Sequence, residues 1–230
     1  MMTTCTSSFL LNQRFLIVKK MIASLMPKRT LDVGCGDGSF SQVIQKFSEE
    51  VYGVDISVDA VLLAQKRGIH ALTVDLNNSK LPFEDNFFDL VYAGEIIEHL
   101  YDCESFIKEC ARVLKKDGHL IITTPNLASW YNRFLLLMGY RPFFADVGRC
   151  PLGKFPVKFA TIQEIPHELH LHMFTLRALK ELLENEGLYV IKSYGARTDA
   201  RLPRWLTLIE AVMSHKAFLA SHLIVLARKA

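Results

Sequence analysis

The stretch Leu31 to Phe40 reads LDVGCGDGSF. A short apolar strand, Thr30 to Val33, runs into three alternate glycines. A helix expected over Phe40 to Phe47 follows, with Val43, Ile44 and Phe47 on one side. Glycine permits the tight turn and lets a ligand touch the backbone. The spacing is GxGxG, whereas dinucleotide folds prefer GxGxxG with a pyrophosphate on the helix N-terminus. Asp32 carries negative charge toward this loop, which suits a cationic amino group and disfavours a phosphate.

Moving outward, Val51 to Val54 is a second strand closed by Asp55, at about the distance where such folds place an acid on ribose hydroxyls. Val58 to Lys66 is a helix stopped by Gly68. Ala71 to Val74 is a third strand closed by Asp75, whose carboxylate can accept from an exocyclic amine. Phe87 to Ala93 is a fourth strand. A helix from Cys103 to Lys115 starts at Asp102 as N-cap, with Phe106, Ile107, Cys110, Val113 and Leu114 on its apolar face. Asp117-Gly118 turns the chain into a strand over His119 to Thr124. Thr175 caps a helix carrying Leu179, Leu182 and Leu183 that stops at Gly187. Leu188 to Tyr194 is a strand, Trp205 to Met213 a helix and His222 to Ala227 the last strand. Strands alternating with helices imply a doubly wound α/β sheet, mostly parallel and seven-stranded, with ligands at the carboxyl ends of the strands.

The segments LDVGCGDGSF, VYGVDIS, VDLNNSKLPFEDNFFDLVYAGEIIEHL and ARVLKKDGHLIITTPN occur in that order. They resemble the motifs of class I S-adenosylmethionine (SAM)-dependent methyltransferases, close to methyltransferase type 11 and the ubiquinone-pathway O-methyltransferases. The likeness covers roughly 29–126 and resumes over 172–194. It implies a Rossmann-like fold and SAM as cofactor. It also implies that Gly34, Cys35, Gly36 and Gly38 pass under the cofactor's methionine part, with Asp32 near its amino group. Asp55 would bind the ribose hydroxyls, Ile56 would lie against the adenine, Asp75 and Leu76 would meet the adenine edge, and Gly94 would lie beside the methionine end.

Glu95, Glu98 and His99 are spaced i, i+3 and i+4, so on a helix they share one face. Later comes His167-Glu168-Leu169-His170-Leu171-His172-Met173-Phe174. If that stretch is extended, His170, His172 and Phe174 point one way. Three readings stay open. The groups form a packed polar cluster. Alternatively, His99 and His172 flank the acceptor and one removes its proton, as histidine suits. Or Glu95, Glu98, His99 and His172 hold a divalent metal that polarises an acceptor hydroxyl. ExxEH is similar to the metal-binding motif of the ubiquinone-pathway enzymes and of small-RNA 2′-O-methyltransferases.

After Pro125 the rhythm breaks. Residues 127–171 read as an insertion that caps the active site. Within it lie Trp130, Tyr131, Phe134, Tyr140, Phe143, Phe144, Phe155 and Phe159, eight of the chain's 24 aromatics. Trp130, Phe134, Leu137 and Met138 fall at helical spacing, as ordinary core would. Arg133, Arg141, Arg149, Lys154 and Lys158 lie near them, and Arg197, Arg201 and Arg204 follow the sixth strand. Trp205, Leu208, Ile209, Val212 and Met213 form another stripe. Apolar surface beside arginines suits a hydrophobic acceptor with an anionic group, or a homodimer interface.

The 230 residues suit one domain, and half are hydrophobic, a globular composition. A formal charge of +3 argues against DNA or RNA as a general partner. No apolar run reaches the ~18 residues of a membrane span; Phe134 to Met138 stops at Gly139 and Arg141. No basic region precedes Phe9 to Leu11, so no secretory signal is expected. The five cysteines form no CxxC pair, which fits a reduced, cytoplasmic compartment. The expected reaction is methyl transfer from SAM to a small-molecule acceptor, at a hydroxyl oxygen. The alternatives are a metal-assisted RNA 2′-O-methyltransferase and a SAM-binding protein without catalysis.

Overall fold

The computed structural model describes residues 12–145, 153, 170–198 and 204–230. Helix α1 (Gln13–Leu25) leads into β1 (Arg29–Val33), α2 (Ser41–Ile44), β2 (Glu50–Asp55), α3 (Val58–Lys66), β3 (His70–Thr73) and β4 (Phe88–Gly94). A 3-10 turn (Ile97–His99), α4 (Cys103–Val113), β5 (Leu114–Pro125) and α5 (Trp130–Leu137) follow. The chain closes with α6 (Leu176–Asn185), β6 (Leu188–Ala196), α7 (Arg204–Met213), a 3-10 turn (Ala217–Leu219) and β7 (His222–Lys229). The seven strands form one sheet in the order β3-β2-β1-β4-β5-β7-β6, in which only β7 runs antiparallel to its neighbours. This is the Rossmann-like class I methyltransferase fold.

Both faces of the sheet are covered, so its central strands are mostly apolar. Phe88, Val91, Leu120 and Ile122 pack with Phe106, Ile107, Leu179 and Leu183 of α4 and α6 on one side. Leu90, Tyr92 and Ile121 pack with Val18, Ile22, Ile44, Val61 and Ala64 of α1, α2 and α3 on the other. Truncating any one of these fully buried leucines or isoleucines to alanine costs about 2–5 kcal/mol. The caps read from sequence are made: the side chains of Asp102 and Thr175 accept from the backbone N–H groups of Ser105 and Ala178.

Two local expectations are corrected, and one helix is added to them. The helix expected over Phe40 to Phe47 is one turn, Ser41–Ile44, because Phe40 is drawn into the core and the following amides close shorter bonds to Phe40, Val43 and Ile44 carbonyls. The fifth strand begins at Leu114. Its register with β4 jumps from Phe88↔Leu114 to Leu90↔His119, and the turn at Asp117 (φ +62°) is the bulge that absorbs the extra residues. Helix α1 had no counterpart in the sequence reading, although Val18, Met21, Ile22 and Leu25 sit at helical spacing behind Asn12, whose side chain caps the helix.

No helix among the described residues is long and apolar enough to cross a membrane. Cys35, Cys103 and Cys110 are free thiols; burial pushes Cys35 up to about 12 and Cys103 up to about 11. Cys5 and Cys150 lie outside the described residues.

Candidate functional site

Strand order reverses between β1 and β4, where one crossover goes to each side, and the crevice there opens at the carboxyl ends of both strands. The glycine loop leaves β1 into this crevice. Gly34, Gly36 and Gly38 all have positive φ, a conformation side chains rarely adopt. Their surroundings separate their roles. A Cβ on Gly34 would strike the Ile96 side chain at 2.2 Å, and one on Gly38 would strike Ala64 of α3 at 2.9 Å. A Cβ on Gly36 would meet nothing within 4 Å. Gly36 is thus the glycine of the three whose missing side chain leaves open space, and the other two serve close packing.

Asp55 ends β2 directly opposite the loop. Its Oδ2 accepts from the Gly36 N–H at 2.8 Å and its Oδ1 from the Ser57 N–H at 2.9 Å. A carboxylate has about four acceptor sites, so two stay free for hydroxyl donors. Ile56 follows with its side chain 65% exposed, an apolar shelf beside the acid. Asp75 lies past the end of β3, where the Val74 N–H donates to the Asp55 carbonyl. Its two oxygens accept from the Asn77 N–H and the Asn78 amide, and Leu76 is half-buried against the core. The open loop, the part-occupied acid and the exposed apolar shelf fit the methionine, ribose and adenine portions of SAM in that order.

Two candidates sit differently from expectation. Asp32 is buried beneath the loop and accepts from the Ser41 hydroxyl at 2.5 Å. Burial pushes its pKa to about 7 against the Ser41 hydrogen bond, with the Asp55 charge adding to the rise. Near neutral pH its carboxyl is therefore divided between charged and neutral forms. Cys35 turns its thiol inward, where a Cβ on Gly53 would touch it at 2.7 Å, so only its backbone faces the loop side. Gly94 is glycine because the Tyr92 hydroxyl would lie 2.2 Å from any Cβ there.

Glu95, Glu98 and His99 do not share a helix face. Glu95 has φ +55°, and only Ile97–His99 makes a 3-10 turn. The Glu95 amide makes a last ladder bond to the Thr123 carbonyl of β5, and the chain then leaves the strand through the left-handed region at Glu95. The two acids nevertheless meet neighbouring rungs of β5: Thr123 Oγ1 donates to Glu95 Oε1 and Thr124 Oγ1 to Glu98 Oε2, each at 3.0 Å. Arg14 of α1 pairs with Glu95 at 2.7 Å, and His222 Nε2 lies 3.6 Å away. Burial opposes ionisation of Glu95, yet Arg14, His222 and the Thr123 hydroxyl together hold it below the usual carboxylate range. Glu98 goes the other way. Burial, and then the charge on Glu95, raise it well above that range, and its Oε1 has no hydrogen-bond partner.

The histidines rearrange the expected pairing. The His170 ring, rather than that of His172, meets His99, with centroids 4.9 Å apart. One ligand atom each from Glu98, His99 and His170 lies within 4.8 Å of the others, and neither Glu95 nor His172 belongs to this cluster. His170 Nδ1 sits 3.1 Å from the Phe144 carbonyl, which can only accept, so a neutral His170 keeps its lone pair on Nε2. His172 is held by its backbone N–H on the Glu98 carbonyl, and its Nε2 points at the Tyr101 carbonyl, 3.4 Å away. His167 and most of 146–169 lie outside the described residues. Sequence reasoning missed Arg14 and His222. An arginine in the first turn of α1 and the first residue of the last strand carry no local signal, because their partner Glu95 is distant in sequence. A cavity of about 120 Å³ lined by Pro27, Asp89, Lys115 and Gly118 lies at the opposite edge of the sheet, too small for a metabolite.

A methyltransferase-domain family model matches residues 31–122. The Mycobacterium tuberculosis protein named probable S-adenosylmethionine-dependent methyltransferase is 32% identical over 110 residues, 48% of this chain and 40% of that protein. The ubiquinone biosynthesis O-methyltransferase of Rhodopseudomonas palustris strain HaA2 is 31% identical over 193 residues, 81% of this chain and 68% of that protein. The chain spans less than half the length of several curated relatives it matches, the Mycobacterium tuberculosis protein among them. A solved SAM-dependent methyltransferase from Mesorhizobium loti superposes with a TM-score of 0.62 at 18% identity, covering 93% of this chain and 96% of that one. One from Archaeoglobus fulgidus gives 0.57 at 21% identity, covering 94% of each.

Proposed function

The chain belongs to the class I SAM-dependent methyltransferases, whose cofactor is S-adenosyl-L-methionine, and from that premise we propose that it methylates a hydroxyl oxygen on a hydrophobic or anionic small molecule. One methyltransferase domain over 1–230, with 127–171 as the acceptor-binding insertion, is part of the same proposal. The observation that carries it is the open face of Gly36 beside the half-satisfied Asp55 carboxylate, with Glu98, His99 and His170 clustered beyond the end of the adjacent strand. The bound cofactor supplies an electrophilic methyl on a cationic sulfur. In this reading the Gly34–Gly38 loop and Gly94 orient the methionine part. Asp55 holds the ribose, and Ile56, Asp75 and Leu76 receive the adenine. Much of the rate comes from alignment and exclusion of water.

The acceptor's proton has to leave as the carbon–oxygen bond forms. His99 is the group we assign to take it, with His170 set against it and Glu95 and Arg14 fixing the floor of the crevice. His172 lies one step out, on the Tyr101 side. A second reading is favoured by one observation: Glu98 Oε1 is buried and orphaned beside His99 and His170. Those three residues would hold a divalent ion, giving up the Glu98 proton on binding, and the ion would polarise the acceptor oxygen.

The test is incubation of the protein with methyl-labelled SAM and cell extract, followed by mass spectrometry of the labelled small molecules. A labelled metabolite supports the proposal; label only in RNA, or nowhere, contradicts it. Chelator then divides the two readings. With a histidine base, turnover survives chelation and falls as pH drops through about 6.5, the ordinary histidine value. With a metal, turnover stops, a divalent ion restores it, and Glu98→Ala, His99→Ala and His170→Ala are comparably damaging.

A further inference from the structure

We propose that the Tyr92 hydroxyl holds the carboxylate of the cofactor's methionine part, a role that rests on the reading of the crevice as a SAM site. Tyr92 stands in β4 at the switch point, with Asp32 of β1 as its direct cross-strand partner. Its ring belongs to the core beneath α1 and α2. It meets Phe40 with centroids 5.2 Å apart, and Phe40 meets Phe15 of α1 at 4.9 Å. From this stack the ring runs lengthwise along the strand toward its carboxyl end. Gly94 records where it arrives. A Cβ there would lie 2.2 Å from the Tyr92 hydroxyl oxygen and 2.6 Å from the ring carbon that bears it. The hydroxyl thus fills the place of the missing side chain, two residues on. Gly94 is only half-buried, so that place is the wall of the crevice rather than the deep core.

Packing does not account for the hydroxyl. Phenylalanine would complete the same stack, and a phenol oxygen taken out of water costs free energy unless it finds a partner. Here it also keeps any side chain out of position 94. Burial holds the phenol well above its ordinary pKa; Arg14 opposes the rise, and the charges of Asp32 and Glu95 add to it. The group therefore stays protonated and can donate. Its surroundings sort the two ends of an amino acid. Asp32 and Glu95 offer acceptor oxygens, which suit the ammonium. The phenol offers a proton, which suits the carboxylate in a charge-assisted hydrogen bond. Arg14 stands at the same edge with its charge matched by Glu95, 2.7 Å away. Thr123, the partner of Gly94 in β5, spends its hydroxyl proton on Glu95 as well.

The test is isothermal titration of wild type and Tyr92→Phe with SAM and with decarboxylated SAM, which keeps the sulfonium and amino groups and lacks the carboxylate. Tyr92→Phe should weaken SAM at least about tenfold, as expected for a lost hydrogen bond to a charged group, and leave decarboxylated SAM within about twofold. Gly94→Ala, whose methyl would displace the hydroxyl, should show the same selective loss, so the outcome does not hang on one variant. Equal weakening of both ligands would assign Tyr92 to packing, and unchanged SAM affinity in folded Tyr92→Phe would take the hydroxyl out of the site; either overturns the proposal. Wild type that binds neither ligand would overturn the SAM reading itself, and the role of Tyr92 with it.

Discussion

Asp32 shows how much a single residue's setting matters. It lies in the central strand under the glycine loop, with its carboxyl shielded by burial and held by Ser41. Its pKa rises from the ordinary 3.8 to about 7. The folded protein therefore keeps a proton that the unfolded chain has already released above about pH 4. Stability contributed by this group is full below that pH and is lost as pH rises toward about 7. Asp32→Asn should remove this component, leaving the variant more stable than wild type at pH 8 by about 2 kcal/mol, with a flatter pH dependence. Urea unfolding of both proteins across pH 4 to 8 measures it; identical slopes would refute it. A cationic amino group brought to the loop would draw the proton off, so cofactor affinity in wild type should tighten as pH rises through about 7. The sequence showed an acid beside three glycines. It could not show that the acid is sealed under them, nor that Gly36 rather than Gly34 or Gly38 faces open space, because those distinctions depend on Ser41, Ile96 and Ala64 arriving from other elements.

At the scale of elements, α1 brings Arg14 to the crevice, where it pairs with Glu95 at 2.7 Å. The pair is mostly shielded, with side chains 13% and 24% exposed, so breaking it leaves a poorly solvated carboxylate. Arg14→Met should destabilise the protein by about 2 kcal/mol at neutral pH, at the lower end for buried pairs because Glu95 keeps some contact with water. Glu95 titrates below its usual range, so the loss should shrink as pH falls through the carboxylate region. Chemical denaturation of both proteins at neutral and acid pH checks this; a destabilisation that persists unchanged in acid would assign it to packing of α1 instead. The strands and helices that carry apolar periodicity, such as β1, α3 and α4, were legible from sequence almost to the residue. The segment from Glu95 to His99 was not. Its i, i+3, i+4 spacing mimics a helix face, yet Glu95 takes φ +55° at the end of the β4–β5 ladder and only Ile97–His99 turns.

For the molecule as a whole, the order β3-β2-β1-β4-β5-β7-β6 makes one crevice from residues that are far apart in sequence. Parallel crossovers were readable from the alternation of elements, and with them the edge at which Asp55, Asp75, Gly94 and Glu95 gather. The meeting of Glu95 with His222, and of His99 with His170, was not readable, since each pairs groups more than 70 residues apart whose approach is set by packing. The central claim is that this crevice holds SAM on the Gly34–Gly38 loop with its ribose on Asp55. Isothermal titration of S-adenosylhomocysteine into wild-type protein and Asp55→Ala measures that claim directly. Wild type should bind in roughly the micromolar range usual for metabolite sites, and the folded variant should lose at least about a hundredfold in affinity, as expected when hydroxyl donors lose a charged acceptor. Unchanged affinity in folded Asp55→Ala, or no binding by wild type, would contradict it.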